Sequence, residues 1–357
     1  MSLCCPARSR PGRCAVGLAL VLALSCALGA RADRPSSQDR DATTTRRRVA
    51  VTYALHYVAR AEPPAGTDET VLWLPIPLTT EDQITTALTV SATAQRLERG
   101  LVDAGGQNRL VRARSRGGAP VEIRLACRVI RLERLAPAGP AAPVSPSPHS
   151  LAAPVLRWLS PPADSPIPAA IAERARALAA RGGTQLDLAR RLFDWTRAHM
   201  RYDKSRPGWG RGDAGWACES GYGNCTDYHA LLMALARASG LPARFHMGIG
   251  VGDAAVRRDP GYHCWASVWI AGLGWWAVDA SEADKHPERA ETYFGHLPPD
   301  RIELTRGRAL RLPGQRSPSP LTFLSGPYLE CDGVSRPDRI RTRIEIRRLE
   351  VRASGAR

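Results

Sequence analysis

Lysine is nearly missing from this chain: only Lys204 and Lys285 stand among 50 basic residues, and the other 48 are arginine. Beside abundant alanine, glycine and proline, that bias reads most simply as codon usage in a GC-rich genome. The arginines run through every segment and do not alternate with exposed aromatics. The net charge of +16 therefore does not describe a specific nucleic-acid groove. It describes a basic surface able to attract an anionic lipid or envelope polymer without specificity. No C-x-x-C pair is present outside the leader, so the common structural zinc spacings are excluded. No internal repeat stands out either.

The apolar run from Cys14 to Leu28 is short for a membrane span. Arg8, Arg10 and Arg13 precede it, and Ala30-Arg31-Ala32 follows as a small-x-small cleavage site. Residues 1–32 accordingly read as a signal peptide for export to the periplasm or beyond, with Ser25-Cys26 a poor lipoprotein signal. A polar tether is expected over 33–46. Residues 47–135 then alternate as strands, among them 49–58, 71–75, 87–91 and 121–125, with turns such as Asp103-Ala104-Gly105-Gly106 between them. No long helical period interrupts them, which predicts an all-β sandwich. A Pro/Ala/Ser-rich linker is expected over 136–164.

Helices open the next segment. One is expected from Ser165 to Ala180, closed by Gly182-Gly183, and a second from a Thr184/Asp187 cap through Trp195. A third begins at Cys225 and stops near Gly240-Leu241-Pro242. Strands follow at 243–249, 263–270 and 275–279, and Ile344 and Ile346 alternate with charges in a closing edge strand. The expected layout is an α+β core over 165–334, then a C-terminal strand and tail over 335–357.

The chemistry concentrates in Gly223-Asn224-Cys225-Thr226-Asp227. Glycines precede Cys225, and Leu231, Leu232, Leu235 and Ala236 follow at helical spacing. That places a cysteine at a helix N-terminus, where unpaired backbone N–H groups and the helix dipole favour thiolate. Asp227 has the right sign for that end. A thiolate becomes a nucleophilic catalyst when a histidine exchanges protons with it and a third group orients the histidine. His263 opens one strand and Asp279 ends the next, in the order such a triad needs. The model of a triad requires both to share one face of the hairpin.

These stretches resemble the transglutaminase-like superfamily, relatives of papain-type cysteine enzymes. The resemblance is carried by Gly223–Asp227, Ala236–Arg244, Gly261–Ala266 and Gly274–Ser281, and more narrowly by Tyr293-Phe294-Gly295, Arg306-Gly307-Arg308 and Gly326–Gly333. It is firm from Leu188 to Gly333 and looser over the β domain, as in exported bacterial proteins with an N-terminal β domain. It implies Cys225 as nucleophile, His263 as general base and acid, and Asp279 as the residue orienting His263. No cofactor or metal is implied. The substrate class implied is a protein or peptide amide. The acyl-enzyme passes to water, as in a peptidase or amidase, or to an amine, as in a transglutaminase. An inactive scaffold for envelope assembly is the alternative.

Other residues carry lesser readings. Cys218, Cys225, His229, His263 and Cys264 lack zinc spacing, and His229, four residues after Cys225, is read as packing. Cys264 follows His263 and is expected on the opposite face, in a structural role. Trp209, Trp216 or Tyr222 is expected to join the Cys225 N–H in an oxyanion site. Five cysteines follow the leader, an odd number that leaves one thiol in an oxidising compartment, with Cys225 the candidate. A Cys218–Cys264 disulfide is expected beside the cleft.

Overall fold

The computed structural model describes residues 48–144, 151–161 and 166–354. The expected signal peptide, the tether, part of the linker and Ser165 lie outside them. Six strands come first without a helix between them: β1 (Arg48–Ala61), β2 (Glu69–Pro75), β3 (Gln83–Thr93), β4 (Arg96–Val102), β5 (Arg109–Arg116) and β6 (Val121–Leu132). Alternation places their side chains. Val51, Tyr53, Leu55, Tyr57, Ala59 and Ala61 of β1 are buried, as are Val121, Ile123, Leu125, Cys127 and Val129 of β6.

The rest of the chain supplies α1 (Ala153–Leu156), α2 (Ala169–Ala179), α3 (Gln185–His199), β7 (Arg201–Tyr202), α4 (Ala214–Ser220), β8 (Tyr222–Gly223) and α5 (Cys225–Ala238). There follow β9 (Ala243–Gly250), β10 (Val256–Arg258), β11 (Tyr262–Ile270), β12 (Gly274–Val278), α6 (Ala280–Lys285), β13 (Arg301–Arg306), β14 (Tyr328–Cys331), β15 (Val334–Ser335) and β16 (Ile340–Ser354). No helix among the described residues is long and apolar enough to cross a membrane.

Two five-stranded sheets form the sandwich, in the orders β10-β16-β1-β6-β3 and β15-β14-β2-β5-β4. Leu55, Ile123, Leu72, Leu74, Val111, Leu329 and Ile346 share its core. The far end of the chain completes it. β16 pairs with β1 from Arg48↔Ser354 to Ala61↔Ile340, and β14 pairs with β2 at Tyr328↔Trp73. Residues 328–331, expected within the core, thus belong to a sandwich sheet, where Leu329 faces its apolar interior.

In the α+β part, α5 lies on a sheet ordered β12-β11-β9-β13. Every residue of α5 from Cys225 to Ala236 is buried, because α2, α3, α4, α6 and the sheet cover all its sides. Phe245, Met247, Ala266 and Val268 join that helix-side core. Their alternate neighbours Arg244, His246 and Ser267 are also buried, on the face that meets the sandwich. There His246 Nδ1 donates to Glu303 Oε1 at 2.7 Å and its Nε2 accepts from Ser267 at 2.9 Å. Gln83 of the sandwich bonds the Glu303 backbone in both directions, at 2.7 and 2.8 Å. Paired polar groups in a buried interface fix orientation in a way apolar contact alone does not. They set the sheet, and the residues it carries, against the sandwich.

Candidate active site

The turn before α5 is built around one carboxylate. Asn224 caps the helix, its Oδ1 accepting from Thr226 N at 2.9 Å, while Asp227 Oδ2 accepts from Asn224 N at 3.0 Å. This reciprocal box satisfies first-turn amides that lack helical partners. Asp227 also accepts from Gly210 N at 2.6 Å and Gly212 N at 2.9 Å, tying the preceding loop to the helix start. Gly223 passes so close that a Cβ there would stand 2.4 Å from Asp227 Oδ2. Glycine is required at this position by that contact. The result holds Cys225, 3% exposed, at the first helical residue.

β11 pairs antiparallel with β12, and Asp279 follows β12 as the N-cap of α6. His263 Nε2 donates to Asp279 Oδ2 at 2.7 Å, and His263 is also within hydrogen-bonding reach of Cys225. With Nε2 on Asp279, Nδ1 is the nitrogen left for the sulfur. The structure therefore brings Cys225, His263 and Asp279 together in sequence. The other Asp279 oxygen, Oδ1, accepts from Ser281 Oγ and Glu282 N, both at 3.0 Å.

The charges reinforce one another. Hydrogen bonding from Cys264, and then from His263, holds the Cys225 thiol well below its usual range despite burial. Burial works against a protonated His263, but the Asp279 charge and hydrogen bond raise it to about 10. Burial likewise opposes ionisation of Asp279, and the His263 charge overcomes it and keeps the carboxyl well below normal. Both shifts favour a thiolate facing an imidazolium.

Two expectations need correction. Cys264 is a free thiol, so the disulfide expected between Cys218 and Cys264 does not exist. Nor is Cys264 remote from the chemistry. Alternation does turn it from the His263 side, but the start of α5 occupies the side it faces. Its thiol lies 3.5 Å from His229 Nδ1 and near enough to Cys225 to lower that thiol. Burial and the Cys225 charge push Cys264 well above its ordinary range, so it stays a donor. His229 is satisfied at both nitrogens, Nδ1 donating to the Cys225 carbonyl at 2.7 Å and Nε2 accepting from Ala280 N at 3.2 Å.

The aromatic residues expected at an oxyanion site precede α5 in the chain, with Trp209 before α4, Trp216 within it and Tyr222 in β8. The Tyr222 hydroxyl donates to Pro207 O at 2.8 Å, its ring meets Trp216 edge-on, and Trp209 is 39% exposed. The tyrosines close enough to sense the Cys225 charge are Tyr202 and Tyr262, both pushed up chiefly by burial. Tyr262 OH accepts from Asn224 Nδ2 at 2.7 Å. Arg301 also escaped the sequence reading; its Nη1 donates to Asp279 Oδ2 at 2.7 Å. No group of three or more metal-ligating side chains is arranged around an ion site among the described residues.

Residues 172–280, which span α5, His263 and Asp279, match the profile of the transglutaminase-like superfamily. This segment is a transglutaminase-like core. The chain is 28% identical to an uncharacterised protein of Haemophilus influenzae across 42% of its own length and 49% of that protein's. It thus spans about half the length of the curated relative it matches. A solved structure, a provisionally named cysteine protease of Cytophaga hutchinsonii, shares the fold with a TM-score of 0.60. That likeness covers 84% of this chain and 91% of the other at 15% identity. The architecture, a β-rich N-terminal region before a transglutaminase-like core, is common to both.

Proposed function

We propose that this protein is a thiol acyl-transfer enzyme acting on amide or peptide bonds through Cys225, His263 and Asp279. The observation that carries the reading is His263, held by Asp279 on one side and within hydrogen-bonding reach of a buried thiolate on the other. Cys225 attacks the carbonyl and His263 protonates the leaving amine. An acyl group then remains on Cys225. His263, now neutral, takes a proton from the incoming nucleophile and the thiolate leaves. The Cys225 N–H, at the first turn of α5, lies beside the developing oxyanion. The Asp279 charge keeps the imidazole in one tautomer and stabilises it when protonated.

Hydrolysis is favoured over amine transfer. An amine site needs carboxylates or an open aromatic wall to hold a cation. The aromatic residues of the segment before α5 are already covered by this chain's own cations. Arg206 lies 3.8 Å from the Tyr222 ring centre, Lys204 5.5 Å from Trp209 and Arg211 5.6 Å from Trp216. Cations on this segment disfavour a lysine acceptor and suit a neutral or anionic peptide. We further place the enzyme outside the cytoplasm, on the leader read in residues 1–32.

The test is a peptide and glutamine-substrate screen that scores hydrolysis and primary-amine incorporation side by side, with mass spectrometry of Cys225. A Cys225-linked acyl species that turns over to acid supports the reading. Incorporation of amine faster than the accompanying deamidation overturns the hydrolytic part. No acylation of Cys225 by any substrate supports an inactive scaffold.

A further inference from the structure

We infer that Arg301 is a positioning residue of this site, clamping the Asp279 oxygen that also receives His263 and so fixing the imidazole toward Cys225. The inference rests on the acyl-transfer reading and names a residue that no triad pattern contains.

Arg301 opens β13, opposite Gly250 of β9, and is 2% exposed. Its Nη1 lies 2.7 Å from Asp279 Oδ2 and 3.4 Å from His263 Nε2. Asp300 Oδ1 accepts from its Nε at 3.1 Å, and its guanidinium carbon lies 5.2 Å from the Trp265 ring centre. The Trp265 ring in turn lies 6.1 Å from that of His263, with 28° between the planes. One tryptophan thus backs both partners of the carboxylate. A guanidinium is never deprotonated in such a place and presents its donors in a fixed plane. It anchors the carboxylate from β13 while Ser281 and Glu282 hold the other oxygen from α6. The imidazole meets an acceptor with no freedom to turn.

The charges alternate along this line: thiolate, imidazolium, carboxylate, guanidinium. Asp279 favours the protonated imidazole, and the like charge of Arg301 opposes it. The other groups that act on His263 are Cys225 and His229 from α5 and Glu282 from α6, whose Oε1 lies 3.8 Å from Nδ1. Loss of the Arg301 charge leaves them in place. His263 then holds its proton to higher pH and faces Asp279 with more freedom. Both changes weaken it as the base that activates water in deacylation.

The experiment uses the full chain with Arg301→Gln and Arg301→Lys. An imidazole NMR titration follows His263, and p-nitrophenyl acetate serves as acyl donor, with acetyl-Cys225 followed by mass spectrometry. In Arg301→Gln, deacetylation is expected to slow about tenfold or more while acetylation changes less, and the His263 titration moves to higher pH. Arg301→Lys keeps the charge and restores most of the rate and the titration. An unmoved titration with an unchanged ratio of the two rates in Arg301→Gln overturns the clamp, as does equal loss in both variants. If Arg301→Gln does not fold, Arg301→Lys decides alone, and a His263 titration moved upward despite the retained charge overturns it. Cys225→Ala separates the two ideas. If it still releases nitrophenol as fast as the parent, the acyl-transfer reading fails, while the titration still judges the clamp.

Discussion

One carboxylate oxygen, Asp279 Oδ2, accepts from His263 Nε2 and from Arg301 Nη1, each at 2.7 Å. Asp279 is fully buried, so its charge exists only because these partners surround it. Asp279→Asn removes the charge, turns a donor toward Arg301 and permits the wrong imidazole tautomer. Acyl transfer should fall by roughly 10³-fold or more. Thermal or denaturant unfolding should show a loss of about 3 kcal/mol, from a buried guanidinium missing one counter-charge. Wild-type activity in Asp279→Asn would remove Asp279 from the chemistry.

Cys264 and His263 both lower the Cys225 thiol, Cys264 the more strongly. Cys264→Ala should raise the pH at which Cys225 ionises, seen as a shift to higher pH in the thiolate ultraviolet absorbance. Cys264→Ser keeps a donor and should restore much of the depression. An unshifted Cys264→Ala titration would leave His263 alone responsible for the thiolate.

Gly223→Ala tests the helix-start geometry. The new methyl would meet Asp227 Oδ2 at 2.4 Å and Asp227 Cβ at 2.7 Å, forcing the capping carboxylate away from Asn224, Gly210 and Gly212. A stability loss of about 1–3 kcal/mol is expected, the range for a lost cap with local strain. Cys225 alkylation should slow as well. Unchanged melting and alkylation would show that the turn yields freely.

The two buried histidines make opposite contributions to stability with pH. His246 is lowered from 6.5 to about 4, by burial against the favourable Glu303 charge. Below about 6.5 the unfolded chain binds a proton that the folded chain refuses, so stability falls with acidification from 6.5 towards 4. Glu303, held well below its ordinary 4.5 by Arg306 and His246 despite burial, extends that loss further into acid. His263 is raised from 6.5 to about 10, so its contribution is full below 6.5 and is lost as pH rises through 10. Unfolding midpoints measured across pH should pass through a maximum between these limits. His246→Gln should flatten the acid side and His263→Gln the alkaline side. A profile indifferent to both substitutions would contradict the assigned charge states.

Much of this site was legible because its signals are local. Glycines before Cys225, an acid three residues into the first turn and an apolar period afterwards describe a capped helix start without reference to anything distant. The alternation in 49–58 and 121–125 likewise described strands that bury one face. What was illegible depends on pairings far apart in sequence. Arg301 is one arginine among 48, and only the β13–β9 register aims it at Asp279. Alternation told which side Cys264 faces but not that the first turn of α5 fills that side. Counting cysteines invited a disulfide, whereas the packing of α5 gave Cys264 a hydrogen-bonding role. The long return of β16 along β1 closes the sandwich from the opposite end of the chain, a connection no local pattern records.

The central claim is that His263 maintains Cys225 as a thiolate for nucleophilic attack. Its most direct test is the rate of Cys225 carboxamidomethylation by iodoacetamide as a function of pH, read by peptide mass spectrometry in the wild type and in His263→Ala. The account predicts rapid labelling that is already on a plateau at neutral pH in the wild type. In His263→Ala it predicts slower labelling whose rise is displaced to higher pH. A wild-type rate that climbs only near the ordinary thiol value of 9.0, and is the same without His263, would contradict it.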